Sequence, residues 1–535
     1  MKVVLRIFVL VAFGILAAVG PAFASATNIY ITQSGSPSGN CTSNVQTPAF
    51  FNSPSNWGSG ASQIGPGTTV LICGTFTGSA GATEFNFQGS GASGNTITLQ
   101  FDTGAQLTAP YWSGNGAINC SDHSYTVVDG GTNGLIQNTA NGTSLTYHQT
   151  STGYYGSNCT NTEIKNLTIK NIYINQGSSS SASDTGGSNT TGIVINSNST
   201  NSTIHNNTVS SCKTGIQLAT DSGGDASNTF IYNNTISDID WGVNIGGGDS
   251  GDTINPVNIH DNDISNWTNW QFPTGAYHQD GIILFNVGNQ SAGIFANIYN
   301  NYIHGDLGVG SPTGFIYCAD FSTCTIYNNV LINSGHLIYG IMWLGQSGNM
   351  GKNMYVYNNL IVTNNSGDIC ITLNITSTAD VEGNICTGNG GGTIFGTYHT
   401  SLSSFAATVA VSDHNNWNVT GNAYGSLANG NSASYSSWKS LGYEPNSSQS
   451  NPNLNPSAPP YTLQSGSAAI GLGANLTSLG ISGLNTTAPM TFGVGGSCGN
   501  GCVTRATSGS WDAGVYSSSG SVTVAPPTGL SAVVQ

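Results

Sequence analysis

Charge is what this sequence has least of. Only 6% of its 535 residues are charged, 8 Lys and Arg against 23 Asp and Glu, for a formal net charge of −15. Solvated helices need Glu, Lys and Arg on their outer faces, and a chain with four Glu, six Lys and two Arg is not mainly helical. So few cations also exclude the basic clusters that nucleic acid and anionic membranes demand. Strongly anionic polysaccharides are disfavoured in the same way, unless a divalent cation bridges the charges. Past the first residues no long apolar run occurs, so membrane insertion is not expected. Disorder does not fit either, because 38% hydrophobic and 9% aromatic content is ample for a large core. What abounds is glycine, 73 residues, beside many Asn, Ser and Thr, the composition of short strands separated by turns.

Residues 1–26 read as a secretory signal peptide. Lys2 and Arg6 flank an apolar run over 7–19, and Ala24-Ser25-Ala26 supplies small residues for cleavage. A secreted, extracellular protein is therefore expected. All 11 cysteines follow that segment, and exported chains usually pair theirs. Spacing suggests Cys318 with Cys324 and Cys498 with Cys502, then Cys41 with Cys73, Cys120 with Cys159 and Cys370 with Cys386, leaving Cys212 over. Zinc is a poorer reading, since the two close pairs are far apart and neither has a His nearby.

An internal repeat organises the middle of the chain. An aliphatic residue, one variable residue and Asn-Asn or a near equivalent recur at Ile164, Ile204, Ile231, Ile259, Ile298, Ile326, Val356 and Val381, spaced by 40, 27, 28, 39, 28, 30 and 25. The short spacings suit one coil of a β-solenoid, and those near 40 suit coils with an inserted loop. Between these phrases Gly precedes alternating apolar residues, as in Thr214-Gly215-Ile216-Gln217-Leu218, Trp241-Gly242-Val243-Asn244-Ile245 and Asp280-Gly281-Ile282-Ile283-Leu284. Such period-two alternation marks strands with one buried face. Stacked in parallel, the coils bury one core and set the second Asn of each phrase above its equivalent, where amides bond in a ladder.

This pattern resembles the right-handed parallel β-helix of secreted pectate-lyase-like proteins, an all-β fold whose handedness and three-sheet cross-section the resemblance implies. The expected organisation is a signal peptide over 1–26, an N-terminal cap over 27–67, the parallel β-helix over 68–395, a C-terminal capping segment over 396–520 and a tail over 521–535. The capping segment is similar to the closing part of many bacterial secreted proteins of this kind, through Asp413-His414-Asn415-Asn416-Trp417, Tyr461-Thr462-Leu463 and Trp511-Asp512-Ala513-Gly514-Val515-Tyr516.

Chemistry concentrates on one edge of the solenoid, where successive coils enter their Gly-containing strands. Read along it, the edge carries Lys213, then Asp238, Asp240 and Trp241, then His278 and Asp280, then His304 and Asp306, with Trp267, Trp270 and Tyr277 in or beside an inserted loop. Two carboxyl groups astride a glycosidic bond serve as acid and base, and neighbouring like charge keeps one protonated. Aromatic faces offer platforms for sugar rings. Asp280 and Asp306 are the expected catalytic pair, with His278 as proton shuttle or orienter and Asp240 as a third acid. Trp241, Trp267, Trp270, Tyr277, Lys213 and His304 are the expected substrate contacts. The His-Gln-Asp-Gly phrase at 278–281 and Gly305-Asp306-Leu307-Gly308 also resemble a recurrent pattern of secreted β-helix proteins.

Hydrolysis of a neutral or weakly charged polysaccharide by a monomer is the leading reading. A calcium-dependent polysaccharide lyase and a non-catalytic polysaccharide-binding or adhesive protein are the alternatives. Neither known mechanism of the resembled superfamily transfers intact. The lyase type uses calcium and a basic residue, and the one Arg past the signal segment, Arg505, lies in the capping segment, leaving Lys213 near the edge. The polygalacturonase type uses three Asp, which Asp240, Asp280 and Asp306 imitate, but its Asp-Asp pair, Gly-His-Gly and Arg-x-Lys are missing. For calcium, Asp238 with Asp240, Asp280 and Asp306 supplies a candidate set of hard oxygen ligands.

Overall fold

The computed structural model describes residues 28–516 apart from 175–188, 221–222, 248–251, 268–277, 286–293, 309–311, 337, 339, 349, 389–391, 420–424, 457–460, 481–504 and 506–507. The signal segment, the tail, Trp270, Tyr277, Cys498 and Cys502 lie outside the described residues.

Each coil repeats three strands. One coil reads Thr229–Tyr232, a turn at Asn233 and Asn234, Thr235–Ile239 and Trp241–Gly247. The next reads Ile254–His260, Asp263–Trp267 and Gln279–Leu284, and the one after it Ile294–Tyr299, Tyr302–Gly305 and Pro312–Cys318. Every strand pairs in parallel with its equivalent one coil on, which makes the chain a parallel β-helix. The first and second strands of each coil belong to sheets that meet at the Asn turn, and the third strands form a separate 13-stranded sheet. Strands of this stack run from Asn28–Ile31 to Asn416–Asn418.

Sequence register explains the core. Pairing aligns Ile231, Ile259, Ile298, Ile326, Val356 and Val381 in one column, each wholly shut from solvent. The Asn pair divides its labour. Its first residue takes the left-handed conformation, with φ of +58° at Asn206, +53° at Asn233, +56° at Asp261 and +55° at Asn300, which Asn and Asp adopt at low cost. Its second residue turns the amide inward. From Asn207 through Asn234, Asn262, Asn301, Asn329, Asn359 and Asn384 to Asn415, each Nδ2 donates to the next Oδ1 at 2.9–3.1 Å. The residue before the pair, read from sequence as variable, builds a second column. His205, Tyr232, His260, Tyr299 and Tyr327 stack face to face with centroids 4.6–4.9 Å apart. Glycine opening the third strand answers a close approach, since a Cβ on Gly242 would lie 2.7 Å from Ile264 Cγ2.

Three expected disulfides form, Cys41–Cys73, Cys318–Cys324 and Cys370–Cys386. Cys120, Cys159 and Cys212 are buried thiols. The expected Cys120–Cys159 bridge is thus replaced by a hydrogen bond from Cys159 Sγ to the Cys120 carbonyl, 2.7 Å.

Aromatic residues close both ends. Phe51 meets Trp57, Phe85 and Phe87 edge-on at the start, and Trp417 and Trp438 pack on Phe395 at the finish. Past that closure the chain returns along the outside of the later coils. Ala469, Ala513, Val515 and Tyr516 cover Val330, Ile332, Leu360, Val362 and Ile385, while Leu476 and Trp511 cover Tyr327 and Tyr357. Buried Arg505 holds this strap by donating to the carbonyls of Asp512, Gly514 and Val515. Among the described residues no helix is long and apolar enough to cross a membrane.

Candidate active site

The corner where the second sheet passes into the third gathers the ionisable groups. Main-chain bonds link successive coils there: Asp240 N and Trp241 N donate to the Lys213 carbonyl, and Asp280 N donates to the Asp240 carbonyl. Lys213 and Asp240 therefore stack on adjacent coils and Asp280, in register with Trp241, stands one position on in the third coil; all three are buried, with exposures of 6%, 0% and 0%. Lys213 Nζ lies 4.4 Å above the Trp241 ring. Asp280 Oδ1 accepts from Thr313 Oγ1 and from Gly314 N at 3.2 Å. Its Oδ2 is buried with no hydrogen-bond partner.

Burial dominates the proton affinities at this corner. It pushes the Asp280 carboxyl up to about 7, against the pull of Thr313 and Gly314. Burial raises Asp240 well above the carboxylate range too, with the Lys213 ammonium opposing and Asp280 reinforcing the rise. Lys213 falls to about 8, chiefly through burial, although Asp240 favours its charged form. A dry site avoids net charge. Burial therefore favours the neutral form of all three, while Lys213 and Asp240 favour each other's charged forms and Thr313 and Gly314 favour the Asp280 carboxylate. Such a trio holds a proton donor and a base side by side near neutral pH.

The other sequence-expected residues divide. His278 lies half-buried beside the corner, its ring 6.3 Å from that of Tyr317, and burial lowers its proton affinity. Trp241 is brought to the corner under Lys213. Trp267 is a tie between sheets: Nε1 donates to the Asp280 carbonyl at 3.1 Å and the ring stacks on Phe315 at 5.4 Å. His304 belongs to the second sheet, where Nε2 meets Asp263 Oδ1 at 3.0 Å and the ring lies on Tyr302. Asp306 turns to the next coil. Its carboxylate is 2.8 Å from His336 Nδ1 and accepts from the main-chain N–H groups of His336 and Gly308. Partial burial pushes it up, but those donors and the His336 ring outweigh that and hold it below the usual range. Asp238 sits in the turn at φ +55° and accepts from Ser211 Oγ at 2.6 Å. Of the four carboxylates expected to share calcium, Asp238, Asp280 and Asp306 have separate partners, and among the described residues no group of three His, Cys, Asp or Glu is placed to hold a metal ion.

Sequence reasoning missed the residues beyond the corner. The outward positions of the third sheet run in register from Asn244 through Ile283 and Tyr317 to Trp343. Ile283 and Tyr317 are buried there, with half-buried Trp241, Phe285 and Trp343 around them. The signal was available as one large side chain at the same strand position on three coils in a row.

No family model matches the chain, and no curated protein matches it. Among solved structures it is similar to the crystal structure of pectate lyase Pel9A, with 13% identity, coverage of 87% of this chain and 95% of that chain, and a TM-score of 0.45.

Proposed function

We propose that this chain is an extracellular polysaccharide-cleaving enzyme that works at the corner of Lys213, Asp240 and Asp280, with the outward aromatic face of the third sheet as its platform. The carrying observation is Asp280, a buried carboxyl raised to about 7 beside a second carboxyl and a lysine. A group that keeps its proton at neutral pH is the general acid that glycoside hydrolysis requires. Asp240 replaces Asp306 as the second carboxylate, because Asp240 and Asp280 share the corner whereas Asp306 is engaged by His336. With the Lys213 charge answered by Asp240, a neutral glycan suits this corner better than a uronate polymer.

Elimination is the second reading, favoured by Lys213. An amine lowered to about 8 is a competent base in mildly alkaline solution. Reducing-end release from a panel of neutral and acidic polysaccharides, with and without calcium, tests both readings on the wild type and on Asp280→Asn. Release abolished in the variant, with its melting temperature retained, supports hydrolysis. Products that absorb in the ultraviolet through a new C=C bond support elimination instead. Binding without release by the wild type sinks both and leaves a non-catalytic polysaccharide-binding protein.

A further inference from the structure

Three polar groups on the outward face of the third sheet are sequestered from water and have nothing to bond. They are Asp280 Oδ2, the Tyr317 hydroxyl and Trp343 Nε1, and they come from three successive coils. Asp280 and Tyr317 are wholly buried. A buried polar group without a partner is costly to the free protein, and three on one face, one per coil, make a set of vacant hydrogen-bonding positions. Tyr317 and Trp343 pair in one column on coils about 4.8 Å apart, and Asp280, paired with Gly314, lies three residues nearer the corner on its own coil, so the three positions fit a ligand that crosses the coils obliquely.

We propose that Tyr317 is a specificity-determining residue that hydrogen-bonds a hydroxyl of a neutral oligosaccharide lying across the coils of Asp280, Tyr317 and Trp343. This rests on the glycan reading given above. The phenol is poised as a neutral donor and acceptor, because burial, and after it Asp280 and Asp320, raise its proton affinity beyond the ordinary phenol range. Trp343, whose ring centroid is 6.1 Å from that of Tyr317, offers only an N–H. Hydroxyl groups satisfy all three positions, since they both donate and accept. A carboxylate is disfavoured, because it would bring an anion into a buried corner whose described cation, Lys213, already faces Asp240. His278 and Phe285, both half-buried and with rings 6.3 and 6.4 Å from that of Tyr317, form the rim, and one of them swings aside to admit the ligand.

The test is calorimetric titration of the full chain with short oligosaccharides of glucose, xylose, galactose and galacturonic acid, together with melting curves without ligand. Tyr317→Phe removes only the unpartnered hydroxyl. The expected result is binding of a neutral oligosaccharide by the wild type and affinity weakened roughly 5- to 30-fold in Tyr317→Phe, the loss of a hydrogen bond worth one to two kcal/mol. Without ligand that variant melts at the same temperature or higher, which a phenol with a structural bond would not allow. Trp343→Phe is expected to weaken binding in the same direction. Unchanged affinity in Tyr317→Phe, with the wild type binding, overturns the role of Tyr317 and leaves the glycan reading standing. A lowered melting temperature with unchanged affinity assigns the hydroxyl to the fold. No binding by the wild type, or binding of galacturonate oligomers alone, overturns both.

Discussion

Replacing one ladder amide isolates the interaction that repeats most often along the stack. Asn301 makes four side-chain bonds: its Oδ1 accepts from Asn262 N at 3.2 Å and from Asn262 Nδ2 at 3.0 Å, and its Nδ2 donates to the Ile259 carbonyl at 2.9 Å and to Asn329 Oδ1 at 3.0 Å. Asn301→Ala removes all four and leaves the buried Asn262 N–H without an acceptor. At about 1 kcal/mol net per bond the loss is roughly 4 kcal/mol, a large part of a domain's stability. Urea unfolding followed by circular dichroism, with refolding curves overlaid, measures it. Asn198→Ala, whose exposed amide donates to Asn158 Oδ1 at 3.4 Å and accepts from Asp225 N at 3.1 Å, is the outer comparison and should lose only about 1 kcal/mol. Asn301→Asp sharpens the test. A buried Asp keeps a proton that the unfolded chain releases, so this variant loses stability as pH rises. If Asn301→Ala behaves like Asn198→Ala, the ladder contributes little and in-register apolar packing alone holds the coils.

Gly242→Ala pushes a methyl against Ile264 Cγ2, 2.7 Å from the new Cβ; the urea midpoint should fall by an amount equivalent to about 1–3 kcal/mol. Burial raises Asp280 from the ordinary carboxyl value of 3.8 to about 7, so the folded chain holds a proton that the unfolded chain gives up. Its contribution is therefore full below pH 3.8 and is lost as pH climbs toward 7. Asp280→Asn should gain on wild type over that interval in melting curves, and a constant difference would show that burial does not govern this carboxyl.

The winding was legible because the ladder demands one side chain. Only a short amide supplies two donors and a twofold acceptor at a buried turn, as Asn301 does, so the second Asn recurs and sets the phase of the repeat. The neighbouring column was illegible for the opposite reason. His205, Tyr232, His260 and Tyr299 stack through ring planes that several residue types supply, and Lys165 and Glu382 hold the same position at the ends of the repeat, so the position read as variable. At the corner, coil phase set Lys213, Asp240 and Asp280 on one edge, but with Asp238, His304 and Asp306 beside them and Asp306 as the expected partner of Asp280. Sequence did not reveal which way a turn residue faces. Asp306 follows its strand much as Asp240 follows its own, yet it turns to His336 on the next coil. Tyr317 was passed over because alternation along its strand marks it as outward, the usual place for residues without a special part.

The outer faces of the solenoid are unequally occupied, and that inequality favours the third sheet as the working surface. The first sheet carries the ring column, whose members lie face to face and present only edges outward. Around Tyr327 and Tyr357 even those edges are covered by Leu476 and Trp511. On the second sheet the outward positions Val330, Ile332, Leu360 and Val362 are sealed by Ala513, Val515 and Tyr516. Apolar strap residues on apolar strand residues satisfy each other and leave nothing for a polar ligand to replace. The third sheet holds the reverse combination, half-buried Trp241, Phe285 and Trp343 beside polar tips on Asp280, Tyr317 and Trp343 that lack partners. Packing alone would favour Phe over Tyr317 and Asn over Asp280, because a buried hydroxyl or carboxyl left unbonded is a net cost. Their presence on a face that no strap covers among the described residues is what a ligand-binding surface requires, since the hydrogen bonds missing from the free protein become available to the molecule it binds.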